Sequence, residues 1–212
     1  MSENKKFGEV SQEDIKLAQS AAPDDLKEKE PVNIKDELLE WAESLVFAIF
    51  IVILIFTFFF RIVQVKGNSM NDTLEDKNRL IINHINYTPE RGDVAVINSK
   101  VLNEVIIKRI IGVEGDKVVV DYANNCVSVN DEKISNSNIK EAMYDKTDRF
   151  DSSYRTGENV YEYTVPEGCV FVMGDNRNHS TDSREIGFIN KEDILGKAVF
   201  RIYPFDEIGK VK

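Results

Sequence analysis

The sequence predicts a mainly β domain preceded by one membrane-crossing helix. Three observations predict this. Residues 44–60 run for 17 positions without a charge. After Arg61 the apolar residues gather in short β-branched runs bounded by Gly, Asn, Asp or Pro. Helical periodicity is scarce outside the uncharged run. The 212 residues suffice for one substantial domain with appendages.

Taken in order, the first 43 residues hold six lysines against twelve acids, and so carry −6 of the net charge of −10. They show no apolar periodicity before Ile34, and residues 1–40 read as a solvated, disordered arm. The uncharged run covers about 25 Å as a helix, the short end for a bilayer span. It is apolar on every face, unlike a surface helix. Trp41 and Arg61 suit the two interfaces, giving a transmembrane segment over 41–61. The flanking cations balance: Lys27, Lys29 and Lys35 on one side, Arg61, Lys66 and Lys77 on the other. Charge alone therefore sets no orientation.

Residues 62–212 form the β-rich part. Strands are predicted at 62–66, 79–85, 93–98, 105–111, 117–121, 126–129, 168–173 and 197–203, the last stopped by Pro204. Asn124-Asn125 reads as a hairpin turn. Single helical turns are expected at 70–75 and 191–195. Residues 135–158 are polar and without periodicity, an excursion from an accessory β region at about 122–160. The acidic balance, with no basic stripe, argues against a nucleic-acid partner. Cys126 and Cys169 have no metal-ligand spacing and read as free, partly buried thiols.

Three blocks carry chemistry. The first is Gly67-Asn68-Ser69-Met70-Asn71-Asp72-Thr73-Leu74, a serine beside glycine shortly after the span; most such serines are turn residues. The second is Ile107-Lys108-Arg109-Ile110-Ile111-Gly112-Val113-Glu114-Gly115-Asp116. In a strand, Ile106, Lys108 and Ile110 share one face, and Ile107, Arg109 and Ile111 the other. A lysine among isoleucines either snorkels outward or is desolvated, and desolvation lowers its pKa. The third runs from Gly174-Asp175-Asn176-Arg177 through His179-Ser180-Thr181-Asp182-Ser183-Arg184. So many polar groups after an apolar strand suggest a fixed network beside a site, or a solvated loop.

Together the blocks resemble the type I signal peptidases, a Ser-Lys peptidase family, over roughly residues 63–204. The resemblance implies an antiparallel-sheet catalytic domain outside the membrane and an N-terminus inside. It implies Ser69 as nucleophile and Lys108 as general base, with an acyl-enzyme intermediate and no metal or organic cofactor. Arg109 stays structural. Ser180 hydrogen-bonds the lysine amine, and Asp182 with Arg184 forms the supporting ion pair. The Ser69 backbone N–H serves the oxyanion hole; some members add a serine hydroxyl two residues earlier, where this chain has Gly67. The chain also departs from the family at Asp72, where proline is common, and at Lys77-Asn78, where Gly-Asp is usual. Some relatives use histidine as the base; here the strand position carries Lys108, and the only histidines are His84 and His179.

By the same resemblance, the substrate lies extended between strands 63–66 and 105–107. Val63, Val65, Gly67, Met70, Leu74, Ile106 and Ile107 border shallow pockets that admit small residues at −1 and −3. The implied partners are signal-peptide-bearing preproteins and the lipid bilayer; export machinery is nearby, but no stable partner is readable. The alternatives are an inactive membrane-anchored β binding module of the same fold, and a narrow-specificity relative that processes a few exported proteins.

Overall fold

The computed structural model describes residues 11–13, 16, 34–135, 139, 141–145 and 149–211. Most of the predicted acidic arm, and part of the polar excursion, lie outside the described residues. The chain divides into two units, Met1–Phe50 and Ile51–Lys212.

Helix α1, Ile34–Phe59, passes from the first unit into the second. Residues 34–58 all expose their side chains, including Leu45, Phe47, Ile53 and Phe58. The helix is long and apolar enough to cross a bilayer. It starts before the uncharged run because charge ends a membrane span without ending a helix. Asp36 and Glu37 fall in the first turn, where carboxylates favour the helix dipole.

The rest is built from antiparallel strands. The larger sheet has the order β1-β2-β12-β3-β4-β10-β11, with β13 paired to β12. Its members are β1 (Phe60–Gln64), β2 (Arg79–Asn83), β3 (Val94–Ser99), β4 (Glu104–Val113), β10 (Cys169–Met173), β11 (Ile189–Asn190), β12 (Ile194–Tyr203) and β13 (Gly209–Lys210). The smaller sheet has the order β7-β6-β5-β9-β8. It uses β5 (Lys117–Asp121), β6 (Cys126–Val129), β7 (Glu132–Lys133), β8 (Arg155–Gly157) and β9 (Val160–Thr164).

Strand β4 joins the two sheets. Gly115, at φ +81°, turns the chain into β5, and Asp116 N–H closes the turn on the Val113 carbonyl. The strand's alternation sorts its isoleucines among separate cores. Ile106 and Ile110 join a cluster with Val170 and Val172, while Ile107 packs with Met70, Leu74 and Val96. Ile111 belongs to the aromatic core under the smaller sheet, with Tyr161, Tyr163 and Phe171. Strand β10 is buried on both faces: Phe171 and Met173 enter the aromatic core, Val170 and Val172 the other. This double burial is why β10 reads as a continuous apolar run instead of an alternating one.

Every predicted strand is present within a few residues, and the turn at Asn124-Asn125 links β5 to β6. The single turns appear as a Leu74 N–H bond to the Met70 carbonyl and as a 3₁₀ turn at Lys191–Asp193. Five strands among the described residues escaped prediction: β7, β8, β9, β11 and β13. Four are two or three residues long, too short to carry a period. Strand β9 reads Val-Tyr-Glu-Tyr-Thr beside the polar stretch, and cross-strand pairing with β5 fixes it.

Candidate active site

Ser69 sits in a loop closed at its base by Val65 and its neighbours: Val65 N–H donates to the Asn78 carbonyl, and Lys77 N–H to the Val65 carbonyl. Within the loop, Gly67 takes φ +81° and donates its N–H to Asp76 Oδ1 at 2.9 Å. Asp72 also has a positive φ, +81°. Proline is locked near −65° and could not stand there in this conformation.

Lys108 is held on β4, where its residue pairs with Ala95 of β3. It is 4% exposed, and its Nζ stands 2.6 Å from Ser69 Oγ in a hydrogen bond. Burial lowers the amine's pKa from the ordinary lysine value; the charges of Asp182 and Glu104 work against that shift, and Arg184 works with it. The desolvated alternative for Lys108 is therefore the one realised.

The third block forms the network behind this pair. Asp182 is fully buried and paired with Arg184 through two bonds, Nε to Oδ1 and Nη2 to Oδ2, each 2.8 Å. Burial opposes the Asp182 charge, yet Arg184 and the Gly174 N–H hold its pKa below the ordinary value. Arg184 Nη2 also donates to the Arg177 carbonyl at 2.7 Å, and its guanidinium stacks over Phe150. Arg109 forms a two-bond pair with Asp175, which also accepts from Thr73 Oγ1 at 2.6 Å. That ties the nucleophile's loop to β4.

Ser180 is brought beside the pair but makes a different contact from the one expected. Its hydroxyl is buried and forms no well-formed hydrogen bond among the described residues. It packs against Gly174 and lies near enough to Asp182 to help keep that carboxylate charged. The Lys108 amine bonds Ser69 instead.

A cavity of about 450 Å³ opens over the pair. Val63, Gly67, Ile106 and Ile107 line it, together with Ser69, Lys108, Val105 and His179. Val65, Met70 and Leu74 do not. They are 3%, 1% and 1% exposed and pack into the core with Val96 and Ile107. The correction has a plain cause: the segments on both sides of Ser69 point their large apolar side chains inward, as the hydrophobic effect demands. Two strand edges border the cavity. Strand β1 ends its sheet, and β10 pairs with β4 only from Arg109 to Val113, leaving residues 104–108 unpaired on that side among the described residues.

Two residues of the third block, neither assigned a role of its own from sequence, also matter. Asn176 donates its N–H to the Ser69 carbonyl and its Nδ2 to the Asn68 carbonyl, both at 3.1 Å. Gly174 lies so close to the Ser69 carbonyl and the Ser180 side chain that no Cβ fits there. No hydrogen bond among the described residues uses the Ser69 N–H. Neither cysteine is paired, and no cluster of metal-ligating side chains occurs among the described residues.

The family model described as signal peptidase, peptidase S26, matches residues 38–203. A signal peptidase IB of Staphylococcus aureus is 38% identical over 182 residues, which cover 82% of this chain and 94% of that protein. A signal peptidase I of Bacillus amyloliquefaciens is 36% identical over 193 residues, 87% of this chain and 98% of that protein. A crystal structure of a signal peptidase I from Enterococcus faecalis V583 is 27% identical, covers 53% of this chain and 98% of that one, and has a TM-score of 0.39.

Proposed function

The chain belongs to the signal peptidase family, peptidase S26, and from that premise we propose that it is a membrane-anchored serine endopeptidase that removes signal peptides from exported preproteins. The observation that carries the mechanism is the 2.6 Å contact between a desolvated Lys108 amine and Ser69 Oγ. A hydroxyl needs a base before it attacks, and a lysine kept from water is more often neutral and able to accept that proton.

In the proposed reaction Ser69 Oγ attacks the scissile carbonyl while Lys108 Nζ takes its proton. The Ser69 N–H faces the developing oxyanion. Lys108 then passes the proton to the leaving amine, and an acyl-enzyme remains. Lys108 next deprotonates a water, whose attack releases the signal peptide with a free carboxylate and restores Ser69. Asp182 and Arg184 position the base, and Ser180 orients the amine while it keeps its bond to Ser69. Gly67 provides no hydroxyl, and its N–H already serves Asp76, so the second oxyanion donor is left to backbone or substrate.

The substrate binds as an added strand at the free edge of β4 beside β1. Val63, Ile106 and Ile107 limit the −1 and −3 residues to small ones. The arm, residues 1–40, lies in the cytoplasm, the span covers 41–61, and residues 62–212 lie outside the bilayer. The serine follows Phe59 by ten positions, a short tether that keeps the cut near the membrane surface.

The test uses the detergent-solubilised full chain, a secretory precursor, and the variants Ser69→Ala, Lys108→Ala and His179→Ala. Cleavage by the wild type and His179→Ala alone supports the dyad. Persistence in Lys108→Ala with loss in His179→Ala would falsify it. A bulky residue at −1 must abolish cleavage; unchanged cleavage refutes the pocket assignment.

A further inference from the structure

A second cavity, of about 340 Å³, shares no lining residue with the one over Ser69. Arg91, Arg109 and Arg177 line it with Ile110, Ile134 and Ile139. Arg91 is paired with Asp116, and Arg109 with Asp175. Arg177 has no ion pair among the described residues. It is 4% exposed, its Nε has no hydrogen-bond partner among the described residues, and its Nη1 reaches the Met143 sulfur at 3.8 Å. Of the nearby carboxylates, Asp175 and Asp182 are already held by Arg109 and Arg184, and the exposed Glu141, which lines a neighbouring cavity with Arg177, forms no ion pair with it. Among the described residues, Arg109, Arg177 and Arg184 thus share the two buried carboxylates Asp175 and Asp182, and Arg177 is the one left unpaired. Burial pushes the Arg177 guanidinium down to about 10, and Arg184 adds to that; Asp182 and Asp175 do not cancel it. Keeping such a charge buried and unpaired is costly.

We propose that this cavity binds a carboxylate carried on a short apolar stem. The carboxylate supplies the anion that Arg177 lacks, and the stem lies against Ile110, Ile134 and Ile139. A single unpaired charge matches a monoanion, and a planar guanidinium matches a planar carboxylate. Arg91 and Arg109, which also line the cavity, are already paired with Asp116 and Asp175, so no second unpaired cation meets a dianion such as phosphate. The ligand is either a fatty acid or a peptide C-terminus with an apolar side chain. The site is independent of the reaction proposed at Ser69.

The experiment follows the thermal unfolding of the full chain in detergent at fixed ionic strength. The probes are butyrate, hexanoate, N-acetylleucine and, as a cation of equal stem, hexylamine. The expected result is a saturable rise in Tm with the carboxylates and none with hexylamine, with affinity growing about fourfold for each added methylene. The tighter of hexanoate and N-acetylleucine identifies the source. Arg177→Met removes the response, whereas Lys108→Ala keeps it, which separates this cavity from the one over Ser69. Ile139→Glu places a carboxylate in the cavity from within the chain. It raises Tm without ligand and abolishes the hexanoate response, and so stands as a test even if Arg177→Met fails to fold. The absence of any saturable rise, an equal response in Arg177→Met, or a retained response in Ile139→Glu overturns the proposal.

Discussion

Lys108 shows how much a single position depends on its surroundings. As a letter in a strand it is a cation among isoleucines; in the fold it is a buried amine on a serine hydroxyl. Its pKa is lowered, so the amine is increasingly neutral as pH rises towards the ordinary lysine value, and kcat/KM must rise on the same limb. Glu104 is exposed and its charge raises the Lys108 pKa. Glu104→Gln removes that charge, so the acid limb of the pH–rate profile moves to lower pH, and added salt narrows the gap to wild type. A limb that stays or moves upward contradicts the account. Gly174 is the other decisive residue. Gly174→Ala forces a methyl against the Ser69 carbonyl and Ser180. The expected outcome is a loss of about 1–3 kcal/mol in denaturant unfolding together with a fall in kcat. Wild-type stability in that variant would show that the loop gives way freely.

At the scale of elements, the loop between β10 and α2 (Ser183–Ile186) does most to shape the site. Asp182 caps α2 by accepting the Arg184 N–H, and it also accepts from Gly174. One carboxylate therefore fixes both ends of the loop. Arg184→Met leaves that carboxylate buried without its partner, at a cost of about 3–5 kcal/mol, read from urea unfolding. An unchanged midpoint would mean that the pair contributes nothing net. Strand β4 makes the second prediction. If substrate adds to its unpaired edge, replacing substrate backbone amides by esters, one at a time upstream of the cut, raises KM at alternate positions. Uniform KM values across the series would argue against strand addition. The blocks containing Ser69, Lys108 and Asp182 were legible because each is a dense local pattern. The fate of Val65, Met70 and Leu74 was not, since an apolar residue next to a nucleophile reads the same whether it lines a pocket or fills the core.

For the whole molecule, the question is which side of the bilayer the sheets occupy. Lysine and arginine are balanced about the span, so charge gives no direction. The free thiols provide a probe, since Cys126 and Cys169 are both partly exposed. With the β domain outside, a membrane-impermeant maleimide labels intact cells, and alanine replacement of both cysteines abolishes the labelling. Labelling that appears only after lysis reverses the proposed orientation.

The sequence by itself determined the uncharged helix, the order of most strands and the three blocks of reactive residues. Each of these is a local property, set by composition and by periods of two or 3.6 residues. The tertiary structure decided the rest. It brought residues 69 and 108 within one hydrogen bond. It turned Met70 inward and, among the described residues, left the Ser180 hydroxyl without a well-formed bond and the buried Arg177 without an ion pair. Those outcomes depend on strand register and on competition for buried space between segments far apart in the chain, and local sequence encodes neither.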